Sequence, residues 1–241
     1  MGAGILQQNK LKEMKMQAQL KLQEIFPGIY SYGNRLLTRN LAPGKKVYGE
    51  GLFSISGTEY RNWDPFRSKL CGAMKKGLKK IPIKSGANIL YLGSAEGTTI
   101  SHISDIIGEE GIAFGVDVSA RVMKKFLYLC ETRKNLVPIL ADANSPEGYA
   151  EYLEGTKIDL LYQDISQKNQ TEIFIKNAQA YLPRNNYALI AIKARSISSE
   201  GSTKMIFENA KRELEKEFEI EQSLNLAPFD KEHEMVLCRR K

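Results

Sequence analysis

The stretch Ile89–Thr99, with the sequence ILYLGSAEGTT, decides the fold of this chain. Four apolar residues suited to a buried strand run into a turn that holds Gly93 and Gly97, and two threonines then suit the start of a helix. A second apolar run, Ile112–Val116, ends at Asp117. In a doubly wound sheet, this order places a carboxylate beside a ligand held over the glycine turn.

The spacing of the two glycines indicates the kind of ligand. Gly-x-x-x-Gly differs from the Gly-x-Gly-x-x-Gly of most dinucleotide sites. It favours a nucleoside without a pyrophosphate, such as S-adenosylmethionine. A plain strand–turn–helix corner has the same local pattern, so further residues must decide between the two.

Strands and helices alternate from about Ile83 onward. The predicted strands are 88–92, 112–116, 136–140, 158–163, 187–193, 218–226 and 234–239. The predicted helices are 67–79, 99–107, 119–134, 150–152, 170–181 and 202–216. Such alternation predicts a mainly parallel sheet with helices on both faces.

The end of the chain refines this α/β prediction. No helical segment separates the last two predicted strands, so they should form a hairpin in which one strand is antiparallel to the rest. We therefore expect the Rossmann-like fold of S-adenosylmethionine-dependent methyltransferases, with a seven-stranded, mostly parallel sheet that ends in an antiparallel hairpin. This methyltransferase domain is predicted over 67–241.

The N-terminal quarter has a different character. Short β-like runs at 25–32, 35–39, 46–48 and 51–55 are separated by glycine and proline, which predicts a small antiparallel β-rich domain over 25–66. Apolar residues at roughly helical spacing among many Lys and Gln predict a basic amphipathic helix over 5–24, within an N-terminal extension of 1–24. That extension either docks on a partner or on RNA, or packs loosely on its own domain.

The charge balance favours a polyanionic partner. Lys and Arg number 35 against 28 Asp and Glu, a net charge of +7, although an ordinary basic protein can have the same balance. The basic residues crowd one segment, along which a phosphate backbone could lie. The predicted RNA-binding residues there are Arg61, Arg67, Lys75, Lys76 and Lys79.

Composition also disfavours several classes of protein. The three cysteines are scattered and there are only two histidines, so neither a disulfide framework nor a metal site is expected, and a reducing cytoplasm is the natural setting. No apolar run approaches the roughly 20 residues of a membrane span, and no secretory signal is expected at the N-terminus.

Residues at the carboxyl ends of the predicted strands form a candidate cofactor site. Backbone N–H groups and hydroxyls at the start of the helix suit a methionine carboxylate, and the acidic strand ends suit ribose hydroxyls and the adenine amino group. Each aspartate could equally cap a helix, but three at one sheet edge favour a shared site. The predicted residues are Gly93, Ser94, Gly97, Thr98, Thr99, Asp117, Val118, Asp142, Ala143, Asp164, Ile165, Ser166 and Gln167.

Four motifs resemble one known family. They are YLG at 91–93 with GTTISHISDIIG at 97–108, NLAPGKKVYGE at 40–50, YRNWDPFRSKL at 60–70 and QDISQ at 163–167. Together they make the chain similar to fibrillarin over about residues 24–239. Without a Gly/Arg-rich N-terminal tail it resembles the archaeal form, which implies the cytoplasm of an archaeal cell.

The resemblance implies an activity and partners. It implies S-adenosylmethionine-dependent 2′-O-methylation of ribose in rRNA and tRNA, by the catalytic subunit of a box C/D guide ribonucleoprotein. A guide RNA would select the target by base pairing. A Nop-family scaffold protein and a kink-turn-binding protein would complete the particle.

The resemblance also implies a catalytic set. Lys69, Asp164, Lys193 and His233 match in kind and order the Lys-Asp-Lys-His set of the family. We expect Lys193 to accept the hydroxyl proton and Asp164 to orient the Lys193 amine, while Lys69 and His233 stabilise the developing alkoxide or bind phosphate. The other histidine, His102, is predicted to be structural.

Two alternatives remain at this level. A non-catalytic assembly subunit of the same particle is favoured by Glu96 in the glycine turn and by Asp117-Val118, which depart from the family pattern. A methyltransferase acting on a protein glutamine would need neither the basic segment nor the four-residue set, so both features argue against it.

Overall fold

The computed structural model describes residues 21–241, which form two β-sheets and their covering helices. Most of the predicted N-terminal helix over 5–24 lies outside the described residues. The prediction is wrong for the last part of this helix, because Leu22–Phe26 is a β-strand. None of the described helices is long and apolar enough to cross a membrane.

The first sheet is antiparallel and five-stranded, as the runs of β-like sequence predict. Its strands are β1 (Leu22–Phe26), β2 (Ile29–Tyr32), β3 (Arg35–Arg39), β4 (Leu52–Ile55) and β5 (Thr58–Trp63), in the order β1-β2-β3-β5-β4. The run at 46–48 is not a strand, because the Glu50 carboxylate accepts the N–H groups of Val47 and Tyr48 at 3.0 and 2.8 Å. The sequence does not predict β5, because its residues follow the last predicted β-like run of this domain.

The second sheet has seven strands. They are β6 (Asn88–Leu92), β7 (Ile112–Asp117), β8 (Leu136–Leu140), β9 (Leu160–Gln163), β10 (Tyr187–Lys193), β11 (Phe218–Asn225) and β12 (His233–Arg240), in the order β11-β12-β10-β9-β6-β7-β8. β12 is antiparallel to β10 and to β11, while β10, β9, β6, β7 and β8 pair in parallel. The predicted α/β fold with a terminal antiparallel hairpin is confirmed.

Helices cover both faces of this sheet. They are α1 (Lys69–Lys75), α2 (Thr98–Ile107), α3 (Ala120–Thr132), a 3-10 helix (Pro146–Leu153), α4 (Gln170–Tyr181), α5 (Ala194–Ile197) and α6 (Thr203–Leu214). Apolar residues of α1, α2 and α3 form one core, and those of the 3-10 helix, α4 and α6 form the other. α1 is shorter than the predicted 67–79 helix, because Ser68 caps its start and Gly77 follows its end at φ +92°.

The alternation of side chains along the strands positions the candidate site. Tyr91, Tyr162, Ala191 and Met235 all belong to the core beneath α1, α2 and α3. Because alternate residues of a strand share a face, the positions two residues closer to this sheet edge share that face, and in the antiparallel β12 such a position comes before Met235 in sequence. Those positions are Gly93, Asp164, Lys193 and His233, and the last two are directly paired between β10 and β12.

A buried ionic cluster connects the first sheet to α2. Arg61 donates to Glu50 at 2.6 Å and to Asp105 at 2.8 Å, and Arg133 donates to the other Asp105 oxygen at 2.5 Å. Burial alone would raise the pKa of Glu50, but the Arg61 guanidinium and the backbone N–H groups that the carboxylate accepts together outweigh burial, and the pKa is lowered. Each charge is thus compensated, which a buried charge requires.

His102 packs beside this cluster, as its structural role predicts. It stacks on Trp63 with ring centroids 4.7 Å apart and lies within hydrogen-bond distance of Thr38 and Tyr48, at 2.7 and 2.8 Å. Burial, reinforced by the nearby Arg61 and Arg133, holds the pKa of His102 well below its usual value. The ring is therefore neutral, and it connects α2 to the first sheet without adding a charge.

Candidate active site

A cavity of about 340 Å³ lies at the carboxyl ends of β6, β7 and β9. The sheet edge therefore offers the ligand site that a doubly wound fold predicts. Its lining includes the following predicted cofactor residues: Gly93, Asp117, Val118, Ala143, Asp164, Ile165, Ser166 and Gln167.

The glycine turn is held by close backbone packing. Gly93 has φ +82°, and a Cβ atom at this position would lie 2.4 Å from the carbonyl oxygen of Asp164. Only glycine fits here without a shift of the backbone. The chain after β6 can therefore pass directly beside the chain after β9, and both border the cavity.

Asp117 is fixed by the turn that it faces. Its carboxylate oxygens accept the N–H groups of Ala95 at 3.0 Å and Ser119 at 2.9 Å. A carboxylate has about four acceptor positions, so some remain for hydroxyls of a ligand. The neighbouring Val118 is 62% exposed and offers an apolar surface to the cavity.

The other predicted cofactor residues do not line this cavity. Ser94 is buried, and the Thr99 hydroxyl donates to Ser68 at 3.0 Å. Thr98 borders a different groove, and Asp142 is exposed and closes a local turn by accepting the Asn144 N–H at 2.9 Å. Gly97 precedes α2 at φ +100°, where a Cβ atom would meet the Leu129 side chain at 2.5 Å. Its role is in packing against α3.

Glu96 stays out of the cavity. Its carboxylate forms an ion pair with Lys125 of α3 at 2.5 Å, and both side chains are largely exposed. Glu96 also contributes to the same outer groove as Thr98. The glutamate therefore leaves the space above Gly93 clear.

A second cleft, of about 330 Å³, borders the first cavity. Asp164 lines both, and Lys69 and Asp230 line the second. The Lys69 amine lies 2.9 Å from Asp164 and 3.5 Å from Asp230. Burial lowers the pKa of Lys69, but the two carboxylates outweigh burial and the net shift is upward. Lys69 is therefore a fixed cation at neutral pH.

Asp230 connects His233 to this ion pair, and sequence reasoning missed it. The Nδ1 atom of His233 lies 2.8 Å from Asp230 Oδ1 and 2.7 Å from the carbonyl oxygen of Lys231. Two acceptors at one ring nitrogen require it to carry the proton, which leaves Nε2 as the acceptor of the neutral ring. The sequence signal for this contact is the position of Asp230, three residues before His233.

Lys193 lies apart from the ion pair. Its amine is 3.5 Å from the Ser166 hydroxyl, and within residues 21–241 no carboxylate lies within ion-pair distance of it. The expectation that Asp164 orients the Lys193 amine is therefore wrong, because Asp164 pairs with Lys69. The sequence could not distinguish which of two lysines, Lys69 of α1 or Lys193 of β10, pairs with Asp164 in the folded chain.

The predicted RNA-binding residues do not share one surface. Arg61 is 0% exposed and both of its partners are buried, so its assignment to RNA binding is wrong. Local sequence does not reveal this burial, because the partners of Arg61, Glu50 and Asp105, are distant in sequence. Arg67 is exposed and lines the second cleft, whereas the exposed Lys75, Lys76 and Lys79 border neither cavity.

The seven-stranded sheet, its antiparallel β12 and the cavity at the glycine turn together define the S-adenosylmethionine-dependent methyltransferase fold. The chain belongs to the fibrillarin family, whose model, described as Fibrillarin, matches residues 16–241. This confirms the family that the sequence motifs indicated.

Individual relatives are similar over most of the chain. A fibrillarin-like rRNA/tRNA 2′-O-methyltransferase of Pyrococcus furiosus is 44% identical over 220 residues, which cover 89% of this chain and 96% of that protein. The solved structure of the Methanococcus jannaschii fibrillarin pre-rRNA processing protein matches with a TM-score of 0.88 and 43% identity, over 92% of this chain and 98% of that one.

Two further solved structures contain bound molecules. Aeropyrum pernix fibrillarin, in complex with natively bound S-adenosyl-L-methionine, has a TM-score of 0.81 and 41% identity, over 91% of this chain and 100% of that one. A fibrillarin/Nop5p complex also has a TM-score of 0.81, with 38% identity over 91% of this chain and 100% of the other.

Proposed function

We propose that the chain transfers a methyl group from S-adenosylmethionine to ribose 2′-hydroxyls of rRNA and tRNA, as the catalytic subunit of a box C/D guide ribonucleoprotein. The observation that carries this proposal is the position of Asp164, which borders both the cavity at the glycine turn and the cleft of Lys69. A donor in one space and an acceptor in the other would meet at this carboxylate.

The residues of the first cavity fit an adenosyl ligand. Asp117 would bind the ribose hydroxyls and Val118 would pack against the adenine, while the backbone at Gly93 lines the same cavity. A. pernix fibrillarin has S-adenosyl-L-methionine natively bound, which supports this assignment. When bound, the cofactor supplies a methyl group on a sulfonium, which is a good leaving group.

The second cleft would hold the acceptor ribose. The permanent charge of Lys69 suits it to stabilise the oxyanion that develops at the 2′-oxygen. Asp164 and Asp230 hold the Lys69 amine in place from two sides. Because Lys69 keeps its proton, another group must take the proton of the hydroxyl.

Lys193 is the proposed proton acceptor. It is the last residue of β10, at the same sheet edge as Asp164, and lies directly opposite His233 in the β10–β12 ladder. Among residues 21–241 the partners of His233 lie at Nδ1, so in the neutral ring Nε2 can accept a hydrogen bond and His233 can support Lys193 in removing the proton. Orientation of the reactants and removal of one proton are the main tasks of the protein in this reaction.

The proposed partners follow from the family. A fibrillarin forms a complex with Nop5p, and the P. furiosus relative is named for rRNA and tRNA substrates. We extend this to a Nop-family scaffold, a kink-turn-binding protein and a guide RNA that selects the target by base pairing, in the cytoplasm of an archaeal cell. The non-catalytic alternative loses the support of Glu96, because this side chain pairs with Lys125.

Reconstitution tests the proposal. The chain is combined with an archaeal Nop5 protein, a kink-turn-binding protein, a guide RNA and a target RNA, and 2′-O-methyl groups are mapped after addition of S-adenosylmethionine. We expect one methyl group at the nucleotide that the guide specifies. Lys193→Ala should abolish it, whereas Lys168→Ala, an exposed lysine nearby, should not. Cofactor binding without methylation by the wild-type particle would support the assembly subunit instead.

A further inference from the structure

We propose that a basic groove beside the active site binds the phosphate backbone of the target RNA strand next to the nucleotide that is methylated. This inference rests on the proposed function and specifies where its substrate lies. The groove, of about 420 Å³, runs between the loop that precedes β4 and helix α3. We name it the Lys45 groove, and its principal residues are Lys45, Lys46, Tyr48, Arg67, Lys125 and Tyr128.

The charge of the Lys45 groove suits a polyanion. Lys45, Lys46 and Arg67 are exposed, and within residues 21–241 no carboxylate pairs with any of them. The acidic residue of the groove, Glu96, is neutralised by Lys125 at 2.5 Å. A surplus of unneutralised cations in one concave surface attracts phosphate.

The groove is also rigid. The Lys45 carbonyl oxygen accepts from the Asn40 amide at 3.2 Å, and the Glu50 carboxylate holds the N–H groups of Val47 and Tyr48. Glu50 is itself fixed by the buried Arg61. The buried ionic cluster therefore holds the loop backbone that carries the two lysines, so little loop ordering is needed on binding.

Aromatic rings accompany the charges. The Arg67 guanidinium lies 5.9 Å from the centroid of the Tyr48 ring, and the Tyr48 hydroxyl donates to the Asn62 carbonyl at 2.9 Å. Tyr128 stands at the rim with 59% of its surface exposed. Arg and Tyr side chains both contact phosphate oxygens, which suits the backbone of a target strand whose bases are paired with the guide.

The groove continues into the active site. Arg67 lines both the Lys45 groove and the cleft that holds Lys69 and Asp164. A strand whose phosphates follow the groove would therefore deliver its next nucleotide beside Asp164. Lys75 and Lys76, which the sequence favoured, border neither space, and the Lys75 amine donates to the Asn34 carbonyl.

Two double-alanine variants test whether the Lys45 groove or the surface of Lys75 and Lys76 binds the target strand. Lys45→Ala/Lys46→Ala is compared with the control Lys75→Ala/Lys76→Ala, each in the reconstituted particle. We measure the affinity for the target strand across a salt series, the rate at saturating target, and the affinity for S-adenosylmethionine. All four lysines are exposed, so both variants should fold, which thermal melting checks.

The expected result is specific to the groove. Lys45→Ala/Lys46→Ala should weaken target binding at least tenfold and reduce the salt-dependence slope by about 1.4 to 1.8, since each lost phosphate contact removes about 0.7 to 0.9. Cofactor affinity and the saturated rate should change little, and the control should behave like wild type. An equal or larger loss in the control would overturn the proposal, as would loss of scaffold binding in the groove variant with unchanged binding of the target.

The affinity for the target strand is measured independently of methyl transfer. If the wild-type particle binds the target strand but transfers no methyl group, the proposed function fails while the groove is still tested by the salt series. If methylation proceeds and the groove variant binds target as wild type does, the groove proposal alone fails.

Discussion

Lys69 and Asp164 form an ion pair, with 2.9 Å between the amine and one carboxylate oxygen, at the wall that separates two cavities. The lysine comes from the first turn of α1 and the aspartate from the end of β9. Because these elements are far apart in sequence, the pair exists only in the folded chain. It marks the point where a methyl donor and an acceptor would meet.

The charge of Lys69 should persist to high pH. Its folded-state pKa is raised, so the ion pair stabilises the fold fully below the unfolded-state pKa of about 10.4 and is lost only as the pH rises through the folded value. We expect Lys69→Met to lower the free energy of unfolding by about 1 to 3 kcal/mol, equally at pH 7 and pH 9. Denaturant titrations of both proteins measure this difference, and a fall between pH 7 and pH 9 would contradict the assigned charge.

Gly93 should be far less replaceable than another glycine with positive φ. In Gly93→Ala the new Cβ would lie 2.4 Å from the Asp164 carbonyl oxygen, so we expect about 2 to 5 kcal/mol of destabilisation and loss of cofactor affinity. Gly155→Ala is the matched control, because Gly155 has φ +73° with nothing within 4 Å. It should cost only about 1 to 2 kcal/mol and leave cofactor binding intact. Equal costs in calorimetry would refute the close backbone packing at Gly93.

Arg61 should affect stability and not RNA contacts. Arg61→Met leaves Glu50 and Asp105 buried with fewer cations, and removal of one partner of a buried ion pair costs about 3 to 5 kcal/mol. Adding Glu50→Gln to this variant should recover part of the loss, since it removes an uncompensated charge. Chemical denaturation of wild type, of each single variant and of the double variant measures the coupling. Strictly additive losses would mean that the two side chains act independently.

Asp230 should fix the tautomer of His233. In the neutral ring we expect the proton on Nδ1, between Asp230 and the Lys231 carbonyl, with Nε2 free. Nitrogen-15 NMR of the labelled imidazole reads the tautomer directly, and Asp230→Asn should shift the population and slow methylation while cofactor affinity is kept. Glu232→Gln is the control in the same loop, since Glu232 pairs with Arg195 instead. A proton found on Nε2 in the wild-type protein would contradict the assigned tautomer.

Local pattern was sufficient to predict the second sheet. The strands β6, β8 and β10 match their predicted bounds, and the short connection before β12 correctly indicated the hairpin. These elements are apolar runs bounded by turn residues, so residues close in sequence determine them. Lys46–Tyr48 failed as a strand because a side chain, Glu50, takes the backbone N–H groups that a ladder would use.

Pairing between distant charges could not be predicted in the same way. The sequence predicts Arg61 on an RNA-binding surface, but Arg61 is buried against Asp105. It predicts Asp164 beside Lys193, but Asp164 forms its ion pair with Lys69. Each residue type was compatible with both arrangements. The choice depends on how α1 and α2 pack against the sheets, which no short stretch encodes.

A crystal structure of the chain with bound S-adenosylmethionine tests the central claim most directly. The account predicts the adenosyl group between Asp117 and Val118, with the sulfonium methyl directed past Asp164 into the cleft of Lys69. A donor bound elsewhere, or a methyl group directed to solvent and away from the Lys69–Asp164 pair, would contradict it.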